Sequence, residues 1–196
     1  MAAARKKDAP GKTTTTEALL GMLSLGAMSG YEIRQRIEVS IGNFWSESFG
    51  QIYPALAKLR RQGLVEVEET GRAGRKVYSL TPMGRERLAA WLAVMPVARV
   101  PRNEMLLKLF FGGNGSVEDT RAQVMAERER FSADLLRYTL LEPEIRRRHA
   151  GKAALPFFLS TLRYGIAEAR AVMEWADETL RSLNGLVGSG IQEEER

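Results

Sequence analysis

Apolar residues return every three or four positions along most of the chain, the period of helices with one buried side. One stretch alternates as strands do, around residues 64–80. Leu19, Leu20 and Leu23 form the buried face of a first helix, and Thr14-Thr15-Thr16-Glu17 before them reads as its capping box. After a turn through Gly26 to Gly30, Ile33, Ile37 and Ile41 mark a second helix, with Glu32, Arg34, Gln35, Arg36 and Glu38 facing water. Gly42-Asn43 breaks that pattern and Phe44 and Trp45 supply an apolar anchor. A third helix is predicted from about Gly50 to Gln62, closed by Gly63. Pro54 requires this helix to start within a few residues of it, because an interior proline lacks its amide and clashes with the preceding turn. Ile52, Leu56 and Leu59 share a narrow stripe, Gln51, Pro54, Ala57, Lys58 and Arg61 point away, and Tyr53 lies on the flank. Leu64–Glu69 and Arg75–Leu80, joined through Thr70-Gly71-Arg72-Ala73-Gly74, predict a β-hairpin with an arginine at its tip. Thr81-Pro82 then caps a fourth helix, Met83 to Met95, expected to bury Leu88, Trp91 and Leu92.

Beyond a linker bracketed by Pro96 and Pro101 the pattern is purely helical. A short helix, Glu104 to Phe111, is followed by Gly112-Gly113-Asn114-Gly115, which lacks the Lys-Ser/Thr sequel of a phosphate-binding loop and reads as an interhelical turn. Ser116-Val117-Glu118-Asp119 caps a helix to about Leu141, and Glu142 to His149, with Arg146, Arg147 and Arg148, reads as a solvated charged turn. In the last helix Leu155, Leu159, Leu162, Ile166, Ala169, Met173, Ala176, Leu180 and Leu183 repeat at alternate spacings of four and three, a coiled-coil seam. Its partner is either the preceding helix, through Val117, Val124, Phe131, Leu135 and Tyr138, or the same helix of a second subunit. Phe157, Phe158, Val172 and Trp175 lie off the seam and suggest both at once; Leu159, Leu162, Ile166, Ala169, Met173 and Leu180 are the candidate dimerisation residues.

Composition removes most enzyme chemistries. The 196 residues contain no cysteine and a single histidine, His149, which excludes a disulfide framework, a thiol nucleophile and a thiolate zinc site. A Ser/His/Asp triad has almost no material, and paired carboxylates such as Glu127 and Glu129, two apart on a helix, do not share a face. No enzyme activity, metal or cofactor is expected. The charge is lopsided: residues 1–100 carry 15 Lys and Arg against 9 Asp and Glu, residues 101–196 carry 14 against 15, so the excess of +5 belongs to the N-terminal half. Such a field attracts polyanions. No apolar run reaches the roughly 18–20 residues of a membrane span, and the basic N-terminus is not followed by a secretory apolar region. A cytoplasmic protein without membrane contact is expected, with a disordered basic arm at 1–13 and a flexible tail at 187–196.

Three helices, a hairpin with a basic tip and a closing helix make a winged helix-turn-helix over residues 14–95, followed by a helical dimerisation and effector domain over 103–186. The fold class is thus mainly α with a small β-hairpin wing. The outward face of the third helix, small, polar and basic, suits a DNA major groove. Arg72, Arg75 and Lys76 of the wing are placed for the phosphate backbone or a minor groove.

Ser29-Gly30-Tyr31-Glu32-Ile33, Gly50-Gln51-Ile52-Tyr53-Pro54-Ala55-Leu56 with Leu59 and Gly63-Leu64-Val65, and Gly74-Arg75 to Tyr78 leading into Leu80-Thr81-Pro82 and Gly84 resemble the PadR-like transcriptional regulators, in their longer subfamily with an extended C-terminal helical domain. The resemblance covers about residues 15–95, and its most specific part is the Tyr53-Pro54 pair. It implies a homodimeric repressor with Tyr53 against bases, Lys58 and the wing arginines on phosphates, and a small-molecule inducer. The DNA-contacting candidates are accordingly Ser29, Tyr31, Gln51, Tyr53, Lys58, Arg61, Arg72, Arg75 and Lys76. Twofold symmetry predicts a pseudo-palindromic operator on double-stranded DNA with half-sites about 34–36 Å apart. For a small aromatic or hydrophobic effector the candidates are Trp45, Trp91, Phe110, Phe111 and Tyr138, residues that equally suit a core. The competing reading is a winged-helix module that binds RNA or protein.

Overall fold

The computed structural model describes residues 10–42, 44–70, 75–97 and 102–188, and the chain divides at Ala98 into two compact units. The first contains α1 (Pro10–Ser24), α2 (Gly30–Ser40), α3 (Phe49–Arg61), β1 (Val65–Thr70), β2 (Arg75–Leu80) and α4 (Pro82–Leu92). The second contains α5 (Glu104–Phe110), a 3₁₀ turn at Gly112–Asn114, α6 (Val117–Arg148) and α7 (Leu155–Gly188). The order is that of a winged helix-turn-helix followed by a helical region. The helix expected to start at the Thr14–Glu17 capping box starts instead at Pro10, a residue suited to a first turn. Thr15, Thr16 and Glu17 are then interior and buried. Of the expected basic arm, residues 10–13 are helical and the first nine lie outside the described residues, as does the tail from residue 189.

The core of the winged unit joins Leu19, Leu20 and Leu23 of α1 to Ile33 and Ile37 of α2, Ile52, Leu56 and Leu59 of α3, and Val65, Tyr78 and Leu80 of the hairpin. Each aliphatic side chain so enclosed contributes about 1.5–3 kcal/mol of apolar transfer. The strands pair antiparallel, from Val65 opposite Leu80 to Thr70 opposite Arg75, and Met28 adds a bridge to Tyr78 through two reciprocal 3.0 Å hydrogen bonds. Thr81 caps α4 by accepting from the Gly84 amide at 3.0 Å. Gly84 admits no side chain, since a Cβ there would lie 2.1 Å from the Leu64 carbonyl oxygen. Glu17, only 1% exposed, is fully partnered. Arg87 donates to its Oε1 from Nε and Nη2, at 3.1 and 2.7 Å, and the Thr16 hydroxyl donates to its Oε2, which joins α1 to α4. The expected burial of Trp91 and Leu92 is not found. α4 meets the unit's core through its first turns, where Gly84 is buried and Leu88 half-buried, and its last turn runs past the core with Trp91 and Leu92 exposed.

One carboxylate ties the wing to α2. The Ser29 amide and hydroxyl both donate to Glu32 Oε2, at 2.8 and 2.7 Å, and the Glu32 amide donates back to the hydroxyl at 3.3 Å, a closed capping box. Glu32 Oε1 takes Arg75 of β2 at 2.5 Å. The Arg75 guanidinium first, and the Ser29 donors with it, hold the Glu32 carboxyl down at about 2 against an ordinary 4.5.

In the helical unit α6 and α7 pack as a hairpin. The charged turn expected at Glu142–His149 is helix as far as Arg148. The Glu142–Arg146 and Glu144–Arg148 pairs, at 2.6 and 2.9 Å, are one turn apart and favour it, and the exposed Pro143 is carried inside. On α7, Leu159, Leu162, Ala169 and Ala176 are buried and Ile166, Met173 and Leu180 half-buried. They lie against α6, whose Val124 and Tyr138 are buried and whose Phe131 and Leu135 are half-buried, and Arg128 pairs with Asp177 across the same contact. The heptad stripe thus packs on α6, with Ile166, Met173 and Leu180 only half-covered.

Two outcomes follow. Introducing Ile166→Glu with Ala169→Glu places two carboxylates in the α6–α7 contact, at a cost of several kcal/mol (about 2–5 for each unpaired group). Circular dichroism should show loss of the helical hairpin, and a fully helical variant contradicts the packing. Glu32→Gln should lower stability by about 1 kcal/mol at neutral pH, the scale of a part-exposed ion pair. Because the folded carboxyl is depressed, the parent's advantage should hold down to about pH 4.5 and vanish as pH falls towards about 2. Urea titrations of parent and variant across that range measure it, and a gap that persists unchanged at pH 2 contradicts the assignment.

Candidate nucleic-acid interface

α3 buries Ile52, Leu56 and Leu59 and so turns Gln51, Tyr53, Pro54, Ala57 and Arg61 to solvent, with Lys58 half-buried at the edge. Pro54 is the sixth residue of the helix and exposed, where its missing amide leaves the Gly50 carbonyl open to water rather than enclosed. Ser48 caps the helix, its amide and hydroxyl donating to Gln51 Oε1 at 2.9 and 2.8 Å. Gln51 therefore anchors the first turn through its carbonyl oxygen and keeps its amide nitrogen on the open face.

An aromatic array spans α2 and α3. Tyr31 stacks on Phe49 with centroids 6.2 Å apart and planes 13° apart, and Phe49 stacks on Tyr53 at 6.0 Å and 22°. Arg34 lies over the Phe49 ring, 4.4 Å from its centroid, and the Gln35 amide donates to the Tyr31 hydroxyl at 3.1 Å. Tyr31 is 55% exposed and Tyr53 49%. The surface joins flat aromatic faces to guanidinium and ammonium groups, the combination that packs on sugars and base edges while cations meet phosphates.

Of the sequence-derived candidates, Tyr31, Gln51, Tyr53, Lys58 and Arg61 belong to this α2–α3 surface. Ser29 is buried and occupied in the α2 cap. Arg75 is paired with Glu32, Lys76 lies 3.7 Å from Glu69, and Arg72 falls outside the described residues. Glu66, Glu68 and Glu69 of β1 are all exposed, so among the described residues the wing's cations reside on β2 and its other strand is acidic. Two residues of this surface were not among the candidates: Phe49 and Arg34. Phe49 and Tyr53 are four residues apart on one helix, a spacing that brings two rings together and is visible in the sequence. From the sequence Arg34 reads only as a solvated residue, because its contact crosses between two helices.

The effector candidates divide by environment. Trp45 is half-buried on the winged core, its indole N–H donating to Glu47 Oε1 at 3.0 Å, and Tyr138 is buried against α7. Phe110 and Phe111 are exposed and meet edge to face at 5.1 Å. Among the described residues no group of three acidic or histidine side chains is placed to hold a metal, and no helix is long and apolar enough to cross a membrane.

Residues 19–90 match the model of the transcriptional regulator PadR-like family, and residues 101–184 that of the virulence activator alpha C-terminal domain. A probable transcriptional regulator of Mycobacterium tuberculosis is 33% identical over 184 residues, covering 85% of this chain and 95% of that protein. The negative transcriptional regulator PadR of Bacillus subtilis is 36% identical over 98 residues, 48% of this chain and about half (54%) of its own length. In fold the chain is similar to Bacillus subtilis PadR in complex with operator DNA, with a TM-score of 0.76, 24% identity, and coverage of 87% of this chain and 97% of that one. The winged unit, the helical unit and a relative matched over nearly its whole length agree: the chain belongs to the PadR-like family of transcriptional regulators.

Proposed function

We propose that the protein is a sequence-specific DNA-binding repressor that acts as a homodimer in the cytoplasm and is released by a small aromatic or hydrophobic effector. The observation that carries DNA binding is the exposed α2–α3 surface, where the Tyr31–Phe49–Tyr53 array is flanked by Arg34, Lys58 and Arg61. Tyr53 and the open amide of Gln51 address base edges, Tyr31 packs on the sugar-phosphate chain, and Lys58, Arg61, Lys76 and Arg72 neutralise phosphates. Ser29 and Arg75 act from behind, by holding α2 and β2 in place.

Repression is supported by the relative named a negative regulator. For dimerisation, the seam residues Leu159, Leu162, Ile166, Ala169, Met173 and Leu180 are engaged with α6, which leaves the outer faces for a second copy. Leu136 and Leu140 of α6 and Phe157 and Tyr164 of α7 are large, apolar or aromatic, and exposed, with Leu140 at 69% and Phe157 at 72%. A twofold contact there presents two α3 helices to a pseudo-palindromic operator. For the effector, the exposed Phe110–Phe111 pair offers an aromatic surface in the helical unit.

The test uses a duplex recovered by selection from random DNA with the full-length protein. Tyr53→Ala should weaken binding to it by about 1–3 kcal/mol at matched salt, the range for one base contact. Its affinity for unrelated duplex should change little, and light scattering of the complex should give two chains per duplex. Equal affinity of parent and variant for the selected duplex overturns the groove assignment, and one chain per duplex overturns the dimer.

A further inference from the structure

Gly30 is the first residue of α2 and is buried, yet its backbone does not require glycine: the positive-φ glycines among the described residues are Gly26, Gly63 and Gly151. What excludes a side chain is the ring of Tyr53. A Cβ on Gly30 would lie 2.7 Å from Tyr53 Cε1, 3.1 Å from Cζ and 3.3 Å from Cδ1, well inside the 3.5–4.0 Å of carbon contact. The ring is held from a second side by Phe49, stacked at 6.0 Å, which is itself held by Tyr31 and covered by Arg34. Tyr53 thus rests in a cradle with backbone on one wall and an aromatic plane on the other, while half of it remains exposed. A side chain with two soft torsions is free to swing on an open helix face, whereas this one meets a neighbour on two sides.

We propose that Gly30 is a positioning residue for DNA recognition: its missing side chain lets the Tyr53 ring seat against the start of α2, which fixes where the phenol meets the groove. The inference rests on the reading of Tyr53 as a DNA-contacting residue. It assigns to Gly30 a part in recognition without any contact of its own with DNA. Glycine at the start of a helix is a poorer helix former than alanine, so the local backbone would favour replacement.

A double-mutant cycle separates this role from a structural one. Gly30→Ala, Tyr53→Ala and the double variant are titrated in full-length form against the duplex selected by the parent, and each is melted by circular dichroism. With Tyr53 present, Gly30→Ala should weaken binding about tenfold, the size expected when two touching residues are coupled. In the Tyr53→Ala background it should change binding by less than about twofold, and there the melting temperature should hold or rise. Equal losses in both backgrounds overturn the proposal, because Gly30 then acts through something other than the ring. No loss with Tyr53 present overturns it as well, and so does a melting temperature lowered alike in both backgrounds. If Tyr53→Ala itself binds like the parent, the groove reading fails and the inference falls with it; if Tyr53→Ala is weak and Gly30→Ala is not, the inference alone fails.

Discussion

Ile52, Leu56 and Leu59 lie on one stripe of α3 and are essentially removed from water, pressed into the surface that α1, α2 and the hairpin share. With three side chains locked into a densely packed core, α3 has no freedom to roll about its axis, since a rotation would expose apolar surface and bury Arg61 or Gln51. Everything offered to a nucleic acid follows from that constraint. The opposite face must carry Tyr53, Gln51 and Arg61, α2 must meet α3 where Tyr31 and Phe49 stack, and the chain leaving α3 must turn at Gly63 into β1.

Around this pivot, single polar groups each hold two elements at once. Glu32 closes the α2 cap and binds Arg75 of the wing, so the start of a helix and the start of a strand depend on one carboxylate. Glu17 does the same for α1 and α4 in a much drier place, with Arg87 and Thr16 covering both oxygens. Such groups contribute modestly to net stability, yet they define geometry, because a buried or part-buried carboxylate left without its partner is expensive. In this chain Arg75 of the wing is engaged with a carboxylate of α2.

Much of this was legible in the sequence because it rests on local periodicity and local chemistry. The stripe on α3, the Thr81-Pro82 start of α4, the two-strand wing and the heptad repeat of α7 are all patterns within one element. What was not legible depends on contacts between elements. Whether the α7 stripe meets α6, a second subunit or both cannot be told from spacing, since both partners demand the same apolar residues; the structure shows Leu159, Leu162, Ala169 and Ala176 buried in the α6–α7 hairpin. The helical continuation through Glu142 to Arg148 was hidden by Pro143 and a dense run of charge, whose one-turn pairing favours helix over turn. Residue type alone does not reveal that Glu32 joins Ser29 and Arg75.

The central claim is that the α2–α3 surface, held by the buried stripe of α3, is where DNA is bound. Amide hydrogen exchange of the full-length protein, with and without a saturating duplex selected by it, tests this directly, because bound DNA shields and stiffens the elements it touches. The account predicts slowed exchange in 29–35 and 48–61, with a smaller effect along β2. Slowed exchange confined to 104–185, with α2 and α3 unchanged, contradicts it.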